Sequence, residues 1–564
     1  MDISKISDPA FLKELDNEEL KKLSSEIREY IIAYCAANGG YLSGNLSSVE
    51  LTLMLNRLFD PEDMILFDGN DINYTNKLLH GMAEELQVNS NGAYSLANAL
   101  GLAASRDLDH KQHRVISVVN STDLLSGRYI EALNQISNTQ KRLIIVFNDD
   151  TTIDRGIGIL DRMIAMVRKT RSYTNLKDNV KDIIRPAKQG EKIIEDIHNI
   201  KTNIKKTIVD EGIFSEFNID YIGPIDGHNL DDLQRAFEIA SQKEYPTVVH
   251  CLTSKGKGYK YAEATTSDAW NRVGPFDIES GRQFEAENEE YLYPKHIASL
   301  TIEKLMADHP DLLCVTSRNI NDYGVANIFA KYPQRCFDAA SSAENSLSFA
   351  AGLALDGKIP YVPLKDFELP NAFRILKNQI CKINKPLIIG LADNGSLNYD
   401  LLAILNNICI YEPKDADALQ DILYTSLNID KPIIIVFPEK CVRYQEKAEF
   451  SPIELGIWPE SANNDMEAET VILASGDLYC RLEELIRANS LPYTLIESCF
   501  SSPLDETLLK KLFENNKRLF IVGGQLKNRL LNYANEKGYS TGLIFLEGNN
   551  ASAILEELKI RTDA

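Results

Sequence analysis

The sequence predicts an α/β protein in which mostly parallel sheets are flanked by helices. Short apolar runs that suit buried strands alternate with stretches whose apolar residues recur at helical spacing, and this alternation appears three times along the 564 residues. Parallel strands need crossover connections, usually helices, and these cover both faces of a sheet. We therefore expect three α/β domains joined by polar stretches.

The first domain is expected to occupy residues 1–262. Its predicted strands are residues 115–119, 143–147 and 247–252, and its predicted helices include residues 127–136 and 230–240. Apolar residues also recur at helical spacing among the charged residues 188–212. This stretch is expected to form an amphipathic helix on the surface.

The remaining chain is expected to hold two further domains after a linker. Residues 263–294 are polar and without periodicity, which is typical of a connection between domains. The second domain is assigned to residues 295–450, with predicted strands at 312–316, 361–363, 386–391 and 432–437. The third is assigned to residues 451–564, with predicted strands at 470–474, 493–497 and 519–522.

Charge and cysteine usage limit the classes of partner and compartment. The formal net charge is −22, and an acidic surface repels nucleic acids and anionic membranes. The nine cysteines are scattered without a CxxC pair, which favours reduced thiols over disulfides or a zinc site. The chain begins without an apolar leader, and no run approaches the length of a membrane span. We therefore expect a cytoplasmic protein.

Three stretches together resemble one enzyme family. They are YLSGNLSSVELTLMLNRLFD at 41–60, YIGPIDGHNLDDL at 221–233 with SKGKGYKYAE and WNRVGPFD after it, and RCFDAASSAENSLSFAAGLAL at 335–355. These resemble 1-deoxy-D-xylulose-5-phosphate synthase, and the resemblance runs in the same order through nearly all of the chain. It implies a transketolase-like homodimer that binds thiamine diphosphate and Mg²⁺. The family's reaction decarboxylates pyruvate and transfers the two-carbon unit to glyceraldehyde 3-phosphate.

The residues expected to bind the cofactor's diphosphate differ from the family pattern. Asn120, Ser121 and Thr122 fill the positions of a Gly-Asp-Gly whose glycines admit the phosphate and whose Asp binds the metal. Asn148 begins the second motif, normally Asn-Asp-Asn, and Asp150 takes its last position. Asp150 is therefore the one candidate metal ligand, in a site that has lost both glycines.

Histidines expected at the mouth of the active site are also replaced. Imidazole suits proton transfer near neutral pH. By the resemblance, four family histidine positions hold Tyr41, Asp71, Asn76 and Asn91. His228 remains, in the turn motif IDGHN, where a structural role is expected.

The residues expected around the pyrimidine ring are altered in charge. The family's glutamate, which activates the cofactor by protonating that ring, aligns with Ala343, and Glu344 stands one residue later. One residue rotates a helical side chain by about 100°, which aims it away from the ring. Glu368 takes the position of an aromatic residue that stacks on the ring. Family arginine positions hold Asn371, Val436 and Glu439.

Three functional readings follow from these replacements. The leading hypothesis is a non-catalytic family member that binds or regulates, as a homodimer or paired with an intact synthase. The second is an active thiamine-diphosphate transferase with a rebuilt site, in which Asp150 binds the metal and Glu344 is the acid. The third is a different ligand, a cation or an amine, in a cleft lined by Asp71, Asp150, Glu344 and Glu368.

Overall fold

The computed structural model forms two compact units, an N-terminal unit of residues 1–284 and a C-terminal unit of residues 285–564. The residues that it describes are 3–69, 71–86, 95–120, 126–150, 214, 216–264, 270–283, 288, 290–317, 320–339, 342–459, 470–515, 518–524, 526–539, 543–546, 548 and 550–562.

The strands of the N-terminal unit are β1 (Gly40–Tyr41), β2 (Met64–Phe67), β3 (Val115–Asn120), β4 (Ile144–Asp149), β5 (Asp220–Asp226), β6 (Thr247–Leu252) and β7 (Arg272–Val273). Five of them form a parallel sheet with the strand order β2-β3-β4-β6-β5. Its described α-helices are α1 (Asn17–Asn38), α2 (Ser43–Ser47), α3 (Val49–Leu58), α4 (Tyr74–Leu79), α5 (Ser95–Leu108), α6 (Gly127–Thr139), α7 (Leu230–Ser241) and α8 (Lys260–Glu263).

Burial explains why the central strands of this sheet are continuous apolar runs. Every residue of β3 and β4 is buried, because two separate apolar clusters cover the two faces of the sheet. Since all five strands are parallel, their carboxyl ends lie at the same edge. That edge positions the side chains that follow β2, β3, β4, β5 and β6.

The C-terminal unit contains two larger sheets. A seven-stranded sheet has the order β10-β9-β11-β12-β14-β13-β18, in which only β18 is antiparallel, and a four-stranded parallel sheet has the order β17-β16-β19-β20. The strands are β8 (Tyr291–Leu292), β9 (Leu312–Thr316), β10 (Cys336–Asp338), β11 (Ile359–Lys365), β12 (Leu387–Asp393), β13 (Cys409–Tyr411), β14 (Pro432–Pro438), β15 (Val442–Arg443), β16 (Thr470–Ala474), β17 (Thr494–Glu497), β18 (Phe500–Ser502), β19 (Arg518–Val522) and β20 (Leu543–Leu546).

Helices cover these sheets. The described α-helices of the C-terminal unit are α9 (Pro294–Asp308), α10 (Ala326–Lys331), α11 (Ala343–Leu355), α12 (Leu369–Ile375), α13 (Cys381–Ile383), α14 (Tyr399–Ala403), α15 (Ala416–Ser426), α16 (Gly476–Ala488), α17 (Glu506–Glu514), α18 (Lys527–Lys537) and α19 (Ala551–Thr562). One buried apolar cluster contains residues of both sheets, among them Tyr411 of β13 and Leu473 of β16. The two sheets therefore share a core.

The α/β class with mostly parallel, helix-flanked sheets is confirmed, and each predicted strand corresponds to an observed one with bounds that differ by a few residues. The predicted helix at 188–212 lies outside the described residues. Part of the expected linker packs with the N-terminal unit: β7 pairs with β1, and Trp270 and Phe276 are buried in its core. The three domain boundaries stay a prediction.

All nine cysteines are free thiols, and six of them are buried. Among the residues that the structure describes, no helix has the length and apolar character needed to cross a membrane.

Candidate functional site

A chain of side-chain hydrogen bonds crosses the carboxyl edge of the N-terminal sheet. The Thr253 hydroxyl donates to Asn148 Oδ1 over 2.8 Å, Asn148 Nδ2 donates to Asn120 Oδ1 over 2.9 Å, and Asn120 Nδ2 donates to Asp71 Oδ2 over 2.7 Å. Asn120 and Asn148 are buried, with 3% and 0% of their surface exposed. Each amide therefore donates to and accepts from a neighbour, and the chain ends on the Asp71 carboxylate.

Strand register creates this chain. Asn120 is the last residue of β3 and pairs directly with Asn148 of β4. Residues in register on adjacent strands point to the same face, so the two amides meet side by side. Asp150 follows β4 directly and is also buried, with 3% of its surface exposed. The structure thus brings four of the predicted positions, Asn120, Asn148, Asp150 and Asp71, to one edge.

Other predicted positions of the N-terminal unit make separate contacts. Tyr41 lies in β1, and the Arg272 guanidinium is 5.5 Å from the centre of its ring. Asn76 lies in α4 and accepts a hydrogen bond of 3.3 Å from Asn56. The remaining positions, Ser121, Thr122 and Asn91, lie outside the described residues.

His228 contacts a buried ion pair of the N-terminal unit. Its Nδ1 lies 3.0 Å from Glu50 Oε2, and its Nε2 accepts a hydrogen bond of 2.9 Å from the Ser254 backbone. Because Nε2 accepts, Nδ1 carries the proton and donates to Glu50. Arg28 also binds Glu50 with both guanidinium NH groups, in a buried ion pair. Despite the opposing effect of burial, the bonds from His228 and Arg28 lower the pKa of Glu50 to about 2.

Two buried polar networks at the same sheet have no counterpart among the predicted residues. His250 Nε2 lies 2.9 Å from Asp149 Oδ2, and its Nδ1 lies 2.7 Å from the Tyr221 hydroxyl. The buried His250 imidazole therefore connects Asp149 with Tyr221. In the second network the Tyr129 hydroxyl donates to Asp68 at the end of β2. Asp68 and Asp149 are both buried, and each has a hydrogen-bond partner in a neighbouring side chain.

In the C-terminal unit, Ala343 and Glu344 begin α11. Ser342 is the N-cap of this helix and accepts from the Asn345 backbone at 3.3 Å. The Ser342 hydroxyl in turn donates to Glu344 Oε2 over 2.8 Å. The Glu344 carboxylate therefore lies at the N-terminus of its own helix, where the helix dipole favours a negative charge. Ala343 is buried, with 4% of its surface exposed, and packs in an apolar cluster.

Glu368 is buried, and its carboxylate accepts hydrogen bonds from several donors instead of being exposed in a cleft. Its Oε2 accepts from the Tyr323 hydroxyl over 2.7 Å and from the Lys365 backbone over 2.9 Å, and its Oε1 lies 3.3 Å from the Ser317 hydroxyl. The Lys365 side chain forms an ion pair of 3.3 Å with Glu439. A small cavity beside Tyr323 and Lys365 has a volume of about 10 Å³, which is room for one water molecule.

Metal-ligand geometry is not found in the described part of either unit. Among those residues, no three His, Cys, Asp or Glu side chains are arranged to hold a metal ion. Asp150 as a metal ligand stays a prediction.

Comparisons with known proteins agree with the resemblance. Residues 3–253 match a protein-family model described as 1-deoxy-D-xylulose-5-phosphate synthase. A 1-deoxy-D-xylulose-5-phosphate synthase of Shouchella clausii is 29% identical over an alignment that covers 99% of this chain and 96% of that relative. One of Bacillus cereus is 27% identical and covers 100% of this chain and 98% of that relative. A solved structure described as a split-gene transketolase in an inactive β4 tetramer is 19% identical, with a TM-score of 0.40, and covers 46% of this chain and 90% of that chain.

Proposed function

We propose that this chain, a homologue of the 1-deoxy-D-xylulose-5-phosphate synthases along its whole length, does not carry out the synthase reaction and acts as a binding or regulatory protein. The observation that carries the proposal is the pair of hydrogen bonds that Asn120 makes with Asn148 and Asp71. The resemblance puts a glycine at position 120, where the backbone approaches a diphosphate. Here a buried side chain lies at that position.

The described residues do not fit a magnesium diphosphate as they stand. Asn148, which begins the family's second motif, uses its amide nitrogen to bind Asn120 and its amide oxygen to bind Thr253. A metal or phosphate would have to replace these buried hydrogen bonds, and a buried polar group left without a partner costs about 1–3 kcal/mol. This cost opposes cofactor binding.

The contacts of α11 support the same proposal independently. Ala343 has no acidic group to offer to a pyrimidine ring, and Glu344 is bound to Ser342. Cofactor activation would need a carboxylic acid that is placed on the ring nitrogen, and a misplaced group loses most of its effect. The loss of this acid and of the diphosphate glycines together favours a protein without synthase chemistry.

Calorimetric titration with thiamine diphosphate and Mg²⁺ tests the proposal. We expect no binding heat at millimolar cofactor. The Bacillus cereus synthase, measured in parallel, is the positive control. Saturable heat from this chain, with turnover of pyruvate and glyceraldehyde 3-phosphate, would overturn the proposal.

The second candidate function is an active transferase with a rebuilt site. One observation favours it: Asp150 is a buried carboxylate directly after β4, where a metal ligand is expected. Under this alternative, Asp150→Asn abolishes cofactor binding and Glu344→Gln abolishes turnover while binding remains. If the unsubstituted chain neither binds cofactor nor turns over substrate, this alternative is rejected.

The third candidate, a cation or amine ligand, is less well supported. It needs acidic side chains that are open to a ligand, yet Asp71 accepts from Asn120 and Glu368 accepts from Tyr323. Ammonium and alkylamine titrations of the wild type and of Asp71→Asn would detect such a ligand.

We further propose that the protein acts in the cytoplasm and pairs with itself or with an intact synthase. The alignments support the pairing, because this chain covers 96–98% of the length of two synthase relatives. Light scattering and co-purification with a co-expressed synthase test the pairing. A strict monomer that retains no synthase would count against a regulatory role through assembly.

A further inference from the structure

Glu412 connects the two sheets of the C-terminal unit at their carboxyl ends. It follows β13 directly, and its backbone N–H donates to the Cys499 carbonyl over 2.9 Å. Its carboxylate Oε2 accepts from the Ser475 hydroxyl over 2.7 Å. Ser475 follows β16 of the other sheet and precedes α16. The Glu412 side chain therefore spans from the seven-stranded sheet to the first turn of a helix on the four-stranded sheet.

The backbone of α16 lies directly against this carboxyl group. Gly476, the first residue of α16, has φ +58, and a Cβ added to it would lie 2.8 Å from Glu412 Oε1 and 3.0 Å from Cδ. Only glycine adopts this conformation readily and leaves room for so close an approach. Within the described part of the chain, Ser475 is the side chain that donates a hydrogen bond to this carboxyl group.

The titratable groups that face Glu412 are two acids, Asp393 and Asp477, and the Tyr399 phenol of α14. Asp393 ends β12, and Asp477 stands in the first turn of α16. Asp477 is bound by Lys440 over 2.6 Å and by Arg481 over 2.8 Å. Burial, and then the charges of Asp393 and Asp477, raise the pKa of Glu412 to about 7, although the Ser475 hydrogen bond lowers it.

Asp393, the neighbour of Glu412, has hydrogen-bond donors that favour its ionised form. It accepts from the backbone of Gly395 over 2.7 Å, from the backbone of Leu397 over 3.2 Å, and from the Tyr399 hydroxyl over 3.2 Å. Three donors stabilise a carboxylate, whereas Glu412 has one. Burial raises the pKa of Asp393 as well, but its hydrogen bonds from Gly395, Leu397 and Tyr399 oppose that rise. Of the two acids, Glu412 is therefore the one that keeps its proton.

We propose that Glu412 is a proton-controlled latch between the two sheets of this unit. When Glu412 is protonated, its carboxyl group packs against Gly476 and accepts the hydrogen bond from Ser475. Loss of the proton places a third negative charge beside Asp393 and Asp477 and loosens the first turn of α16 from the end of β13. The proposal is independent of the function proposed above, because it uses no residue of the cofactor positions.

The direction of the pH effect follows from the linkage of protonation and folding. The folded-state pKa is raised to about 7 from an ordinary value of 4.5. The folded state thus holds the proton more tightly, and the latch is fully closed below pH 4.5 and weakens as the pH rises through 7. From pH 6 to pH 8 the closed state should lose about ten-fold in population relative to the open state.

Hydrogen exchange of the full chain tests the latch. Protection of the amides at 479–482, the first in α16 with intrahelical acceptors, should fall about ten-fold between pH 6 and pH 8 after correction for the intrinsic pH dependence of exchange. Glu412→Gln keeps the shape without the titration, and its protection should not change with pH. The matched control is Glu449→Gln at an exposed glutamate, which should behave as wild type.

A second variant keeps the test decisive if Glu412→Gln folds poorly. Asp477→Asn removes one facing charge, so the midpoint of the protection change should move to lower pH. Equal pH dependence in wild type and Glu412→Gln, or an unmoved midpoint in Asp477→Asn, would overturn the proposal.

Discussion

The Asn148 amide nitrogen donates a hydrogen bond of 2.9 Å to the Asn120 amide oxygen, between the last residue of β3 and the next-to-last residue of the neighbouring parallel strand β4. Through this contact, two side chains of the protein itself connect β3 and β4 at the carboxyl edge of the N-terminal sheet. Removing it by Asn120→Ala leaves both Asn148 Nδ2 and Asp71 Oδ2 without this partner. We expect the free energy of unfolding to fall by about 1–3 kcal/mol, as measured by urea denaturation.

The matched control for this variant is Asn134→Ala, at an exposed position of α6. Alanine favours helices, so this control should change stability by less than about 0.5 kcal/mol. If both variants shift the urea midpoint equally, the buried amide contact contributes nothing measurable to stability.

The Arg28–Glu50–His228 cluster predicts a loss of stability in acid. The pKa of Glu50 is about 2 in the folded protein and 4.5 ordinarily, so its contribution is fully present above pH 4.5 and is lost as the pH falls towards 2. That shift corresponds to about 3 kcal/mol. Thermal unfolding from pH 7 to pH 3 should show a steeper decline for wild type than for Glu50→Gln.

Glu50→Gln should itself be less stable than wild type at pH 7, because it leaves the Arg28 charge buried without its anion, at a cost of about 3–5 kcal/mol. Glu18→Gln, which removes an exposed carboxylate of α1, is the control. Parallel declines of wild type and Glu50→Gln in acid would contradict this assignment.

The Tyr323 hydroxyl and the Glu368 carboxylate form a buried hydrogen bond of 2.7 Å in the C-terminal unit. Tyr323→Phe removes a hydrogen-bond donor to the buried Glu368 carboxyl group, and we expect a loss of about 1–3 kcal/mol in urea denaturation. Tyr332→Phe, at a partly exposed ring that contacts Arg335, is the control and should be nearly neutral. Similar stability of the two variants would mean that Glu368 is satisfied without Tyr323.

The sequence predicts the strands well because parallel strands buried on both faces are continuous apolar runs. Asn120 and Asn148 could also have been predicted to lie close together, since both follow such runs and parallel strands end at one edge. The contacts of His250 with Asp149 and of Tyr129 with Asp68 could not. Those partners are 101 and 61 residues apart, and their meeting depends on strand order and register, which no local pattern encodes.

By the resemblance, position 343 is where the activating glutamate of the 1-deoxy-D-xylulose-5-phosphate synthases would stand, and a glutamate placed there should lower the stability of the fold. Ala343 is buried in the apolar cluster beneath α11, so a larger and charged side chain must displace its neighbours or be buried with its charge. We expect Ala343→Glu to lower the free energy of unfolding by about 2 kcal/mol or more. Ala343→Gln, of equal size and without charge, separates the two causes: the difference between the variants in urea denaturation reports the charge alone. Neither variant should bind thiamine diphosphate in calorimetry, because the Asn120–Asn148 contact remains in place. If Ala343→Glu is as stable as wild type, the apolar cluster accommodates the larger charged side chain. Burial at position 343 would then not prevent the site from being rebuilt with a glutamate.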